Sequence, residues 1–301
     1  MIALLCPGQG SQKPGFMSAW LEIPEYRSNI EILSDVIKMD LIKHGTESDE
    51  ATIRDTAIAQ PLIVAASIAS ANLLAKNFSA VAGHSVGEVP AGYLAGILSQ
   101  EQAISLVDVR AKAMAKAATA AEKTGMAAIL GGDQDAVVER LTSLGLSAAN
   151  YNGAGQIVAA GAASGIEALV ANPVEGTKVI PLAVAGAFHT QYMNPAVAEL
   201  EVFAKSLEIS EPTKTIWSNQ AGQEIKTSEK FIQLLVGQVA NSVRWDLCMS
   251  SMVAAGVTGV IEVSPAGTLA GLAKRGMPDV EIIALKTPAD IETANSLMAR
   301  G

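Results

Sequence analysis

Residues 83 to 87 read Gly-His-Ser-Val-Gly, directly after the short apolar run Phe78-Ser79-Ala80-Val81-Ala82 and directly before a stretch of helical composition. Where a strand turns sharply into a helix at such a pattern, the serine takes a strained backbone conformation. The flanking glycines are then required, because side chains there would collide with neighbouring backbone. The pattern constrains the fold: a strand must end before Ser85, a helix must begin after it, and the hydroxyl must face out between them. Ser85 is therefore the first candidate nucleophile.

Other short apolar runs, 2–5, 259–263 and 281–285, alternate with long Ala/Leu/Ile helical patterns, including an Ala-rich stretch at 111–121. This alternation predicts an α/β layered domain of the α/β-hydrolase-like kind with a mainly parallel sheet. Between 125 and 185 the rhythm changes. Strand-like 126–130, helical 134–144, strand-like 146–151 and 156–160, helical 164–172 and strand-like 178–184 spell βαββαβ, the ferredoxin-like order. The expected organisation is a large catalytic domain from 1–124 and 186–301, a small inserted subdomain from 125–185, and a cleft between them.

Composition narrows the function. A chain of 301 residues, half of them apolar, buries a large core without disulfides, and its two cysteines, Cys6 and Cys248, fit a reducing cytoplasm. No metal site is evident. The apolar start at Met1 lacks a basic leader and runs into Pro7-Gly8, so it reads as a first strand and not as a signal peptide. The uncharged run 56–75 contains Gln60, Pro61, Ser67, Ser70 and Asn72, too polar for lipid, and reads as a buried helix. A net charge of −9 without a basic run argues against nucleic acid and membrane as partners.

A serine hydroxyl needs a base, and the chain offers three histidines. His84 adjoins the serine, so its side chain should point elsewhere, and His44 sits in a polar surface stretch. His189 remains, following 184–188 where a strand end runs into a small-residue loop. The Gly8-Gln9-Gly10-Ser11-Gln12 loop is either an ordinary tight turn or a source of backbone donors. An acyl-transfer serine needs two donors, and the N–H groups of Val86 and Gln9 are the sensible pair. Arg110 lies in an otherwise apolar pattern one helix after the elbow. It either satisfies a distant carboxylate structurally, the favoured reading of the residues alone, or grips a substrate carboxylate.

Together, Gly-Gln-Gly-Ser-Gln at 8–12, Gly-His-Ser-Val-Gly-Glu at 83–88, Arg110, Asn150-Tyr151-Asn152 with 155–158, Gly186-Ala187-Phe188-His189, 238–245 and 262–267 strongly resemble the malonyl-CoA:acyl carrier protein transacylase family over nearly the whole chain. The resemblance implies malonyl transfer from malonyl-CoA to the phosphopantetheine thiol of holo acyl carrier protein through a malonyl ester on Ser85. His189 would be the base, Gln9 and Val86 the oxyanion donors, and Arg110 the clamp on the malonyl carboxylate, which reverses the structural reading of that arginine. The Gln238 carbonyl would orient His189, Asn150 and Asn152 would contact substrate, and Phe188 would crowd an α-methyl group and so favour malonyl over methylmalonyl. No cofactor is implied, since both thiol carriers are substrates. The chain departs from the family where Ser242 replaces a common proline and where Pro90 follows the elbow.

Two other readings use the same serine. A serine hydrolase or thioesterase of the elbow type would place its histidine late, after an acidic residue, and would not want Arg110. The same transfer could serve a polyketide synthase or a malonate decarboxylase system. A chain that starts at its first strand and ends soon after its last points instead to a discrete subunit of fatty-acid synthesis. An acidic carrier would dock on local basic residues, for which Lys112, Lys116, Lys274 and Arg275 are candidates.

Overall fold

The computed structural model describes residues 1–120, 122–184 and 186–300. The expected boundary at 185, the end of the Ala-rich stretch at 121 and residue 301 lie outside the described residues. The strands in chain order are β1 (Ile2–Cys6), β2 (Ala80–Gly83), β3 (Thr124–Gly131), β4 (Ser147–Gly153), β5 (Gln156–Ala162), β6 (Thr177–Leu182), β7 (Thr215–Trp217), β8 (Glu224–Ile225), β9 (Val243–Arg244), β10 (Gly259–Glu262) and β11 (Glu281–Ala284).

One sheet of six strands runs β11-β10-β1-β2-β7-β8. Every neighbour pair in it is parallel except β7 with β8, which closes the edge as an antiparallel pair. β1 and β2 are buried along their whole length, as expected of all-apolar runs covered by helices on both faces. They lie side by side with Cys6 opposite Gly83, so the loop after β1 and the elbow after β2 leave the sheet together at its carboxyl end. That end is where parallel sheets place their ligands.

The helix Thr56–Asn72 packs beneath this sheet with nearly all of its residues buried, as its uncharged composition suggested. Asp55 caps it by accepting from the Ala57 N–H. The helix Gln100–Ala120 packs against it and brings Arg110 under the elbow. Among the described residues no helix is long and apolar enough to cross a membrane.

A second sheet of five strands runs β6-β3-β5-β4-β9. Its first four strands, with the helices Gln134–Ser143 and Ala163–Ala171 between them, follow the expected βαββαβ order and pair antiparallel. The fifth strand is not in the sequence reading. β9 comes from the far end of the chain and pairs parallel to β4. A two-residue strand carries no readable alternation; what holds it is Val243, buried in the cluster with Trp245, Cys248 and Met249. Ser242, where proline is common, donates from its hydroxyl to the Ala148 carbonyl at 2.7 Å and so adds a polar tie to the same edge.

Candidate active site

At the elbow Ser85 has φ 54, in the left-handed region that L residues avoid. A Cβ on Gly83 would lie 2.0 Å from the Gly87 carbonyl carbon and oxygen, and one on Gly87 would lie 2.1 Å from the Cys6 carbonyl oxygen. Both glycines are thus needed where they stand. A 3-10 turn, Ser85–Gly87, leads into the helix Glu88–Leu94, which keeps Pro90 inside its first turn, where a missing N–H costs little. Asn219 staples the turn: its Oδ1 accepts from the Ser85 N–H at 2.7 Å, and its Nδ2 donates to the Gly83 carbonyl at 2.7 Å.

His189, φ 61, is the second strained residue in the cleft. Its Nε2 lies 2.7 Å from the Ser85 hydroxyl, and its Nδ1 lies 2.9 Å from the Gln238 carbonyl oxygen. Gln238 ends the helix Ser228–Gln238, so its carbonyl has no partner within the helix and accepts instead from the Asn241 N–H, at 3.1 Å, and from the imidazole. Because that oxygen only accepts, Nδ1 carries the proton and Nε2 is left to accept from Ser85. Burial, then the charge of Arg110, pushes the imidazole down to about 3, so it is neutral.

Arg110 is 1 % exposed, and its protein partners are amides and not the distant carboxylate of the structural reading. Its amino groups donate to the Gln60 Oε1 and, at 2.8 Å, to the Gln238 Oε1, while Nη2 lies 3.4 Å from the Ser85 hydroxyl. Those partners are neutral amides, and Nε has no acceptor among the described residues. Burial lowers the guanidinium to about 10, still charged at neutral pH, with Glu88 pulling the other way. Glu88, 1 % exposed, is raised to about 7 by burial against the opposing hydrogen bonds of Asn219 and Gln238 and the charge of Arg110.

A cleft of about 450 Å³ opens over these groups, lined also by Gln9, Val86, Asn150, Asn152 and Phe188. The Gln9 loop is pinned by its own side chains: Gln9 Nε2 donates to Thr56 Oγ1 at 3.2 Å, and Gln12 Nε2 to the Ile53 carbonyl at 2.9 Å. His84 faces away from the serine, its Nε2 2.9 Å from Asn152 Oδ1, joining the elbow to β4. Asn152 is thereby occupied by a protein partner. His44 lies elsewhere, beside Ser48.

Among the basic candidates, Lys112 pairs with Asp108 at 2.7 Å and Lys116 with Glu199 at 3.2 Å. Lys274 and Arg275 end the helix Thr268–Gly276, whose first turns line the cleft through Thr268, Leu269 and Leu272. Glu262 fixes that helix by accepting from the N–H groups of Gly267, Leu269 and Ala270 at 2.7, 2.9 and 2.8 Å.

The sequence reading missed Gln60, Glu88, Asn219 and the side chain of Gln238. Gln60 and Glu88 did carry a signal, being polar groups inside apolar helical runs that bury them. Asn219 follows a short strand that no periodicity marks and left none.

Residues 3–296 match the family described as "Acyl transferase domain". The malonyl CoA-acyl carrier protein transacylase of Mycobacterium tuberculosis is 43 % identical over 303 residues, covering 99 % of this chain and all of that protein. Its Bacillus subtilis counterpart is 32 % identical, covering 97 % and 96 %. The solved M. tuberculosis structure superposes with a TM-score of 0.94 at 42 % identity, covering 98 % of this chain and 99 % of that one. A malonyl-transacylase solved in complex with a type II polyketide acyl carrier protein superposes at 0.91 with 29 % identity, covering 98 % and 99 %.

Proposed function

We propose that this chain, which belongs to the acyl transferase domain family, moves a malonyl group from malonyl-CoA to the phosphopantetheine thiol of holo acyl carrier protein through an ester on Ser85. The observation that carries the reading is the convergence on one hydroxyl of a neutral imidazole at 2.7 Å and a buried guanidinium at 3.4 Å. A base beside a nucleophile suits any acyl transfer. A cation that close also requires a short acyl group ending in an anion, because the group must reach the guanidinium while its carbonyl sits on the serine.

His189 Nε2 takes the proton as Ser85 Oγ attacks the thioester carbonyl, and the oxyanion faces the N–H groups of Gln9 and Val86. As the carbon–sulfur bond breaks, CoA leaves with the proton from Nε2. In the second half, the same nitrogen takes the proton of the incoming thiol, the new carbon–sulfur bond forms, and the proton returns to Ser85 Oγ as the ester breaks. No metal or cofactor enters either half, and the kinetics are ping-pong. The Gln238 carbonyl, at a helix C-terminus, stabilises the transient imidazolium. Phe188 in the cleft wall limits branching at the α-carbon, and Asn150 offers a polar contact to substrate.

The relatives at 43 % and 32 % identity are named malonyl CoA-acyl carrier protein transacylases with no polyketide or decarboxylase designation, which favours fatty-acid synthesis over those alternatives, and the two buried, free cysteines suit a reducing compartment such as the cytoplasm. A hydrolase is disfavoured because Arg110 adds nothing to the transfer of a neutral acyl group to water.

Intact-protein mass spectrometry after brief exposure to malonyl-CoA tests the reading. A malonyl adduct on the wild type, absent in Ser85→Ala and discharged onto holo carrier protein, is expected. An adduct lost to water alone, or none, returns the protein to the hydrolase class or to none.

A further inference from the structure

The carboxylate of Glu88 touches neither Ser85 Oγ nor His189, yet both its oxygens are committed within the site. Oε1 accepts from the Asn219 N–H at 2.6 Å, and Oε2 accepts from Gln238 Nε2. The same Gln238 nitrogen donates to the Ser85 carbonyl at 3.0 Å, and the other end of that amide, Oε1, accepts from Arg110 Nη2 at 2.8 Å. One amide thus bridges the nucleophile's own backbone and the guanidinium. An amide can be turned end for end with little change in shape, and only its neighbours choose. An ionised carboxylate is acceptor-only, so it demands the nitrogen end and leaves the oxygen end for Arg110. Gln60, the other partner of the guanidinium, has no such constraint, since its nitrogen faces the sulfur of Met114 at 3.4 Å.

We propose that Glu88 is a positioning residue for acyl-chain length: its carboxylate fixes the Gln238 amide, and the amide fixes how far the Arg110 guanidinium stands from Ser85. A guanidinium held at one distance accepts a carboxylate one methylene beyond the reacting carbonyl and is too close for one two methylenes beyond. A guanidinium left to swing accepts both. The groups that face Glu88 are Arg110 from the helix Gln100–Ala120, the Cys248 thiol from Trp245–Ala254, which burial pushes up and keeps protonated, and the uncharged donors Asn219, Ser218 and Gln238. Among the described residues Arg110 is therefore the charge with which the carboxylate trades influence.

This inference rests on the malonyl-transfer reading, and the test separates the two. Ser85 loading by malonyl-CoA and by succinyl-CoA is compared in wild type and Glu88→Gln, with acetyl-CoA as the control for general damage. Both dicarboxylic groups carry the same charge, so removing the Glu88 charge cancels in their ratio and only placement remains. Loss of one hydrogen bond to a charged group corresponds to a fall of about tenfold in the malonyl-to-succinyl ratio, which is the expected result. An unchanged ratio, with all three loadings lowered alike, would make Glu88 merely structural and overturn the proposal. If Glu88→Gln does not fold, the wild type decides. With Glu88 raised to about 7, its carboxylate is charged at pH 8 and protonated at pH 6. The ratio should fall as the pH drops through that value, and a ratio flat from pH 9 to 5, a window that spans a carboxyl either still raised or at its ordinary value, refutes the proposal. Failure of wild-type Ser85 to accept malonyl at all would instead sink the reading beneath it.

Discussion

On the six-stranded-sheet side of the cleft, the polar groups near the serine form one connected set: Ser85 to His189, His189 to Gln238, Gln238 to Glu88, and Arg110 to two amides. On the five-stranded-sheet side, the wall carries much carbon, from Met126, Ala128, Val158 and Leu182, and of its polar groups Asn152 reaches across to His84 and Gln156 accepts from Arg275. The contrast follows from what each wall must do. Reacting atoms need fixed directions, which hydrogen bonds and strained backbone supply at a cost in tolerance. A wall that only shapes space needs close packing and can exchange one apolar group for another with small loss.

The comparison breaks if the first side tolerates change. Gly83→Ala should be among the most damaging single methyls, because its Cβ would meet the Gly87 carbonyl carbon and oxygen at 2.0 Å and the Glu88 nitrogen at 2.3 Å, and neither backbone can move without dragging β2 or the elbow. A stability loss of about 3 kcal/mol or more, read by urea unfolding, is expected. A variant as stable as wild type would mean that the elbow is looser than its contacts imply. Next in size, His189→Ala should slow malonylation of Ser85 by about 10²- to 10⁴-fold, whereas Asn150→Ala across the cleft should cost less than about tenfold. Equal losses from the two would erase the distinction between the walls.

Arg110→Ala sharpens the comparison by separating binding from chemistry. Removing one member of a buried charge pair costs about 2 kcal/mol or more, so the KM for malonyl-CoA should rise roughly thirtyfold, while acetyl loading holds or improves. The pH dependence of acetyl loading isolates the base, because that substrate makes no use of Arg110. His189, lowered from 6.5 to about 3, stays deprotonated at pH 5 and remains a working base there. A histidine at its ordinary value would be protonated by that pH and would cut the rate by roughly thirtyfold. Stopped-flow loading should therefore stay flat from pH 8 to 5, and a fall centred near 6.5 would show that burial does not act on this imidazole as argued.

How much of this could be read from the sequence follows the same division. The elbow was legible because its requirements are local: glycine where a Cβ has no room, at 83 and 87, and a strand before it. Four apolar runs and one βαββαβ rhythm marked four strands of each sheet, since strand and helix periodicities are properties of contiguous residues, whereas the short β7, β8 and β9 left no pattern. His189 emerged because few histidines compete. The ties around Arg110 did not emerge: Gln60 lies 50 residues before it and Gln238 128 after it, and no local pattern says which distant amide a guanidinium will meet. Taken alone, Arg110 was read as structural. The structure sets it 3.4 Å from the serine hydroxyl while also giving it two amide partners.

The rim of the cleft should give the smallest effects. Lys112 and Lys116 already hold carboxylates at 2.7 and 3.2 Å, so an acidic partner would have to displace Asp108 or Glu199 to use them. Among the described residues Arg275 pairs with the neutral amide of Gln156, at 3.2 Å, on a helix that Glu262 holds by its other end and whose first turns line the cleft. A carrier approaching its thiol along that helix would meet positive charge at Lys274 and Arg275 without first breaking an ion pair at Arg275. Exposed charge pairs contribute about 1 kcal/mol or less each. Reversing both residues to glutamate should therefore raise the KM for holo carrier protein only several-fold, more so at low salt, and leave malonyl-CoA loading untouched. The same reversal at Lys112 and Lys116 should leave the carrier KM unchanged. If it raises that KM as much, docking follows the long helix above Arg110 and not the one that Glu262 caps.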